Sequence, residues 1–451
     1  MVLTRVGAMV ESGRCNGLTP GAMVEKVSVI GRVLAIWAAM MAVPVIAQSP
    51  VAPRPRSDSG WFSAWASAHN VGLGVPGLSG GSVRLIVRPT LSGQSLRVKL
   101  SNIRGNAPAV FSAAYVGVSS NGASIVAGTN RRLTFGGAPT LTLKPDDMIW
   151  SDPVSFDVKA FQRLAISLDV TSASDVSMHT LGLTTTYRAG GARAAGASGS
   201  EFTAIPPNAP DSTAHEYPMY WLAALDVQSP AAAGTIVAVG DSWLDGRCST
   251  TENNVVKPDL YQRWIDVLAA RLAAQFPDQP RAVVNAAIAG NRIIPGGGNG
   301  PPTLQRLERD VLERAGATHV IFLQGMNDIG GGAGAAQVTA AMQQVIDRVH
   351  ARGLRIVGGT LFPLARPDRA KWTAPYDAVR QAVNTWIRTQ AKFDGVIDFD
   401  RLMSTGPLYD GIPSLKPEFA CNDDVHPNPA AYRVMGEFVD LALFSTGRLQ
   451  K

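Results

Sequence analysis

Apolar and polar positions follow two different rhythms along this chain, and the change falls near residue 230. Between about Gly60 and Gln228, short runs partly alternate, as in Ser82-Val83-Arg84-Leu85-Ile86-Val87-Arg88, Ser95-Leu96-Arg97-Val98-Lys99-Leu100 and Leu164-Ala165-Ile166-Ser167-Leu168-Asp169-Val170. A period of two sends successive side chains to opposite faces of a strand. Turn pairs such as Asn121-Gly122 and Gly136-Gly137 separate the runs, and no helix-length amphipathic stretch interrupts them. The pattern predicts an all-β sandwich of antiparallel strands over residues 60–229. Within it, a Gly/Ala/Pro-rich loop is expected at 189–210 and a last strand at 220–227.

From Thr235 onward, buried apolar runs alternate with helix-period stretches. Strands are expected at Thr235–Val239, Ala282–Ile288, His319–Leu323, Leu354–Leu361 and Gly395–Phe399. Helices are expected at about Leu260–Gln275, Thr303–Arg314, Ala335–Arg352, Tyr376–Lys392 and Pro429–Phe444. This alternation predicts an α/β fold over residues 230–451, with a parallel sheet between two helical layers in a three-layer α/β/α sandwich of flavodoxin-like type. Open sheets of this kind bind ligands beyond the carboxyl ends of their strands.

The first 59 residues fit neither rhythm. Lys26 and Arg32 precede an apolar stretch, Val33 to Ala47, that ends in small residues at the positions a signal peptidase favours. A signal peptide is expected over residues 1–47, with residues 1–22 as an upstream extension before Met23. A Pro/Ser/Arg-rich linker follows at 48–59. Cleavage near Ala47-Gln48 implies a secreted or periplasmic protein with no remaining membrane span. The net charge of +6 comes from scattered residues with no basic run, so no nucleic-acid partner is expected. Of three cysteines, the mature chain keeps Cys248 and Cys421.

Candidate chemistry collects in four short segments of the second half: Gly240-Asp241-Ser242, Ala289-Gly290-Asn291, Gly325-Met326-Asn327-Asp328 and Asp423-Asp424-Val425-His426-Pro427-Asn428. The first three follow predicted strand ends and the fourth precedes the last helix, so all four converge on one rim. Ser242 can serve as a nucleophile, and His426 as a base whose imidazole titrates near neutral pH. Asp423, three residues earlier, can orient that ring, with Asp424 as the competing carboxylate. Gly290 offers a backbone N–H free of Cβ obstruction, and Asn327 offers a side-chain amide. His69, His179, His215, His319 and His350 are expected to be structural or surface residues. Gly77-Leu78-Ser79-Gly80-Gly81 matches a nucleophile elbow but lacks the strand before it and the helix after it.

Together and in this order, the four segments resemble the SGNH (GDSL-type) hydrolase family over about Thr235 to Leu443. The resemblance implies Ser242 as nucleophile, His426 as base with Asp423 as its partner, and an oxyanion hole of Ser242, Gly290 and Asn327. It implies no cofactor and no metal. Asn285 to Arg292 and Val396 to Asp400 look most like a subgroup of exported esterases associated with acetylated xylan and aryl esters. The expected function is hydrolysis of short-chain carboxylic esters, small or polysaccharide-linked, through an acyl-enzyme. A lysophospholipase or thioesterase is the alternative within the family. A glycan-binding protein using Trp61, Trp65 and Trp150 is the alternative outside it. Trp243, where the family usually has Leu or Ile, is expected at the substrate pocket. If Ser242 and His426 meet, Cys248 and Cys421 both lie near the rim, and a disulfide between them is expected, with two free thiols as the alternative.

Overall fold

The computed structural model describes residues 60–206, 217–253, 255–364, 372–409 and 411–445. All lie within one compact unit, Pro55–Lys451. The expected signal peptide and linker, and His215, lie outside the described residues. No described helix is long and apolar enough to cross a membrane.

The first half is mostly β. One antiparallel sheet orders its strands Trp61–Ala66, Leu222–Gln228, Gly93–Ser101 and Met148–Trp150, with Val154–Val158 also paired to Gly93–Ser101. A second runs from Thr203–Ala204 through Thr186–Gly190, Gly81–Val87, Leu164–Ser172 and Ala109–Val118 to Arg131–Leu133. Leu96, Val98, Leu225 and Val227 of the first sheet share one apolar core with Val83, Leu85, Ile166 and Leu168 of the second. Alternation was only partial in Gly81–Val87 because both of its faces are covered. Of the segment expected as a loop at 189–210, residues 189–206 are described; they begin as the end of a strand and then lie over the outer face. There the fully buried Arg84 donates to the Gly196 carbonyl at 2.7 Å, while Phe202 stacks on its guanidinium. A third, small sheet of Met219–Tyr220, Val176–His179 and Val71–Leu73 carries His179.

The second half holds a five-stranded parallel sheet in the order Arg281–Asn285, Gly234–Gly240, Ala317–Leu323, Arg355–Gly359 and Gly395–Ile397. Central strands buried on both faces read as continuous apolar runs, which is why these were visible in sequence. Helices Trp264–Gln275, Ala335–Ala351, Ala374–Thr389 and Pro429–Phe438 pack apolar side chains against the sheet in a single core. The helix expected at Thr303–Arg314 instead runs as Thr303–Leu307 and then widens into a π-helix at Glu308–Leu312. Three short pieces had no signal of their own length: the helices Ser242–Asp245 and Met326–Gly330, and the hairpin of Ser404–Tyr409 with Ile412–Leu415.

Candidate active site

The strand Gly234–Gly240 delivers Ser242 to the sheet rim as the first residue of a four-residue helix capped by Asp241. His426 arrives on the loop before the last helix, whose own cap is Asn428. His426 Nε2 lies 2.8 Å from Ser242 Oγ, and Nδ1 lies 2.6 Å from Asp423 Oδ2. The other carboxylate oxygen accepts backbone N–H bonds from Val425 at 3.0 Å and His426 at 2.9 Å. Asp423, not Asp424, therefore faces the ring. Partial burial opposes the Asp423 charge, but the bond and attraction to His426, with the two backbone donors, outweigh it. Its pKa is held well below the ordinary carboxylate range. Asp424 has a left-handed backbone, φ 60°, that turns it away from this geometry.

Asp241 is a different carboxyl. It is 1% exposed, accepts from Trp243 N–H at 3.2 Å, and its pKa is pushed up to about 7. Burial is the main cause, opposed by the Trp243 bond and reinforced by the neighbouring charges of Asp328 and Asp245.

The two donor segments are tied to each other and to the serine strand. Ile288 N–H donates to the Gly240 carbonyl at 3.2 Å, which fixes the strand end from which Gly290 projects. Gly290 has φ 74°, and a Cβ there would come within 2.7 Å of the Asn299 amide, so the position suits glycine. Asn299 holds the turn by donating from its backbone to Gly290 O and from its side chain to Ala289 O, both at 3.0 Å. Asn327 spends one amide hydrogen on the Asn291 carbonyl at 3.2 Å, leaving the second for another acceptor. Asp328 closes the link by accepting from Ile293 and Ile294 N–H at 3.0 Å each.

Several supporting residues carried no separate signal. Asn291 is fully buried, donates to the Asn299 and Pro301 carbonyls, and accepts from Arg306 at 3.0 Å and Gln324 at 3.1 Å. Tyr432 donates to the Arg247 carbonyl at 2.8 Å, pinning the last helix to the turn after the serine. A rule that every buried polar side chain needs a partner points to such residues only once burial is known.

Cys248 and Cys421 form a disulfide with 6.4 Å between Cα atoms, and the bridge joins the serine turn to the Asp423 loop. Cys421 N–H donates to the His426 carbonyl at 2.8 Å. Cys248, Cys421 and Asp423 also bring three ligand-type atoms within 4.8 Å of one another, but both sulfurs are committed to the bridge. Trp243, expected to shape the pocket, lies in the core instead. It is 2% exposed, stacks on Phe362 at 3.8 Å, and donates from Nε1 to the Val425 carbonyl at 3.2 Å. A large ring beside a buried strand end gains more by packing than by facing solvent.

Away from the site, His69 is buried between Ser177 and the Leu222 carbonyl, and burial lowers its pKa to about 3. His319 is buried against Thr318, and His350 meets Asp394 at 3.0 Å. Ser79 of the decoy elbow donates to the Ala173 carbonyl in a turn before the strand Gly81–Val87. The Trp150 ring is covered by Arg97 and Lys99, and Arg97 also covers Trp61.

Residues 238–434 match the model of the GDSL-like lipase/acylhydrolase family. This part of the chain is a GDSL-like lipase/acylhydrolase domain with the α/β hydrolase fold of that family, and the protein is a carboxylic ester hydrolase. Similar solved structures include a lipolytic G-D-S-L family member from Veillonella parvula, at 17% identity and a TM-score of 0.33, covering 45% of this chain and 94% of that one. A carbohydrate acetylesterase from Sinorhizobium meliloti is 15% identical with a TM-score of 0.34, covering 45% and 94%. An acetyl xylan esterase from Geobacillus stearothermophilus is 16% identical with a TM-score of 0.33, covering 49% and 99%. No curated protein matches the chain.

Proposed function

We propose that the protein is an exported serine esterase that removes short acyl groups through an acyl-enzyme. The unbroken chain from Asp423 through His426 to Ser242 Oγ carries this reading. His426 takes the serine proton as Oγ attacks the ester carbonyl, and Asp423 stabilises the imidazolium that forms. The developing oxyanion is met by the backbone N–H of Ser242 and Gly290 and by the remaining Asn327 amide hydrogen. The alcohol leaves with the proton from His426. Water then attacks the acyl-enzyme by the same route in reverse. The apolar residues beside the serine, Trp243 and Leu244, are spent on the core, which favours a small acyl group over a long chain. The disulfide favours an oxidising compartment, in keeping with a secreted or periplasmic location. The β-rich half, taken as a two-sheet sandwich, would support the site rather than bind glycans through Trp61 or Trp150, whose rings are covered.

Ser242→Ala should abolish turnover of p-nitrophenyl acetate while leaving the thermal transition in place. Across p-nitrophenyl esters of rising chain length, kcat/KM should fall beyond short acyl groups. Turnover retained in the alanine variant would remove Ser242 from the reaction. A preference for long chains would point to a lysophospholipase-like substrate.

A further inference from the structure

Among the contacts between the β-rich half and the α/β half, one buried pair lies directly behind the serine helix. His179, 4% exposed, stands at the end of the strand Val176–His179. Its Nδ1 lies 2.8 Å from the Ala68 carbonyl oxygen and its Nε2 lies 3.1 Å from Asp245 Oδ1. Asp245 is fully buried and lies in the same short helix as Ser242. The same carboxylate oxygen accepts from Asn285 Nδ2 at 3.1 Å, and Oδ2 accepts from Ala289 N–H at 2.9 Å. Ala289 immediately precedes Gly290. A second clamp runs alongside, where Arg263 donates to the Asp245 carbonyl at 2.6 Å and to the Leu181 and Gly182 carbonyls at 3.0 Å each. Residues 179–182 of the β-rich half thus grip Asp245 by its side chain and, through Arg263, by its main chain.

We infer that His179 and Asp245 are positioning residues through which the β-rich half sets the oxyanion loop. Asp245 holds two things at once: the helix that presents Ser242 N–H, and the backbone N–H next to Gly290. A buried carboxylate keeps its place only while its hydrogen bonds are complete. His179 supplies one of the three side-chain bonds, and Asn285 and Ala289 supply the others. The cavity beside the pair, of about 60 Å³, is lined by Ser67, Thr184 and Tyr261 as well as His179. It has room for a few water molecules and none for an ester substrate. His179 therefore acts through Asp245 and not on the substrate. Oxyanion donors are sensitive to small displacements, so loosening this grip should slow the chemical step while leaving substrate affinity alone.

The inference rests on the serine esterase reading, and a pair of polar substitutions in the full chain tests it separately. In His179→Gln, the side-chain amide reaches the place of Nε2 and can still donate to Asp245. In His179→Asn, the amide reaches only the place of Nδ1 and serves Ala68. With p-nitrophenyl acetate, His179→Asn should lower kcat by about 10- to 100-fold with KM within about twofold. His179→Gln should recover most of that loss, and both should keep the wild-type circular dichroism spectrum. Equal kcat values for the two variants, a lower kcat for Gln than for Asn, or a change confined to KM would overturn the inference. If Ser242→Ala retained turnover, the esterase reading itself would fall. Activity in the wild type, none in Ser242→Ala and equal kcat in the two His179 variants would remove the positioning role alone.

Discussion

Asp241 and Asp423 are both carboxylates close to the Ser242 turn, and their surroundings push them in opposite directions. Asp423 is met by an imidazole and two backbone donors, so its charge is favoured and it can hold His426 in one orientation. Asp241 is buried with two like charges nearby, and the backbone donors at Trp243 and Gly325 do not offset this, so its neutral form is favoured up to about pH 7. The stability consequence has a definite sign. In the unfolded chain Asp241 ionises near its ordinary value of 3.8, whereas in the folded chain it holds its proton until about 7. The folded state binds more protons in that window, so this group makes the fold less stable as pH rises from about 4 to about 7, and the penalty is constant above it. Asp241→Asn removes the titration while keeping an amide oxygen to accept from Trp243. Relative to wild type, the variant should gain stability between pH 4 and pH 8, by at most about 4 kcal/mol. Urea denaturation at the two pH values reads this directly. A stability difference between variant and wild type that stays constant with pH would show that Asp241 is ionised in the folded protein throughout.

At the level of elements, the site is a meeting of loop ends, and the loop carrying Asp423 and His426 has little regular structure of its own. Its fixed points are the Cys248–Cys421 bridge, the Trp243 bond to Val425 and the Asn428 cap. The bridge closes a sequence separation of 173 residues, so its loss frees a long loop in the unfolded chain. Replacing both cysteines by serine should cost about 2–5 kcal/mol of stability in urea denaturation. It should also lower kcat, because the bridge joins the turn after Ser242 to the loop holding Asp423. A stability loss with unchanged kcat would show that the remaining bonds hold the loop unaided. The same loops mark the limit of what was legible in the sequence. Ser242, Gly290 and Asn327 stood out as candidates because each ends an apolar run, and His426 because it precedes a helix with a clear start. Asp245 was not found. An aspartate three residues after a serine looks like any helix-surface residue, and its partner His179 lies 66 positions away, in a different kind of fold. Trp243 was placed near the site by its neighbour, but adjacency in sequence does not say which way a ring points. The π-turn at Glu308–Leu312 and the covered face of Gly81–Val87 depended on tertiary neighbours that periodicity does not encode.

For the whole molecule, the question is whether the change of rhythm near residue 230 marks a line along which the chain can be divided. The contacts across that line argue against it. Ser63 N–H donates to the Ala315 carbonyl at 3.0 Å, and Thr235 donates from its hydroxyl to the Ser63 carbonyl at 3.1 Å. Thr90 both donates to and accepts from the backbone of Val283, at 2.9 and 3.0 Å, on an edge strand of the parallel sheet. That edge would otherwise present unpaired backbone groups, which promote aggregation. A side chain at Gly316 would collide with the Phe62 ring, so the two surfaces meet without a gap. Ala282 belongs to the apolar core of the β-rich half and Ala66 to the core of the α/β half. Separating the halves would expose these atoms, the sheet edge and the buried Asp245 together. Residues 230–451 expressed alone should therefore be aggregation-prone and lack a cooperative thermal transition, and mixing them with residues 60–229 should restore p-nitrophenyl acetate turnover only where the two reassociate. Calorimetry and turnover on the separate and mixed pieces make the measurement. A soluble 230–451 fragment with a sharp transition and full-chain kcat would show instead that the β-rich half is an attachment, and that the interface contributes neither to folding nor to the rate.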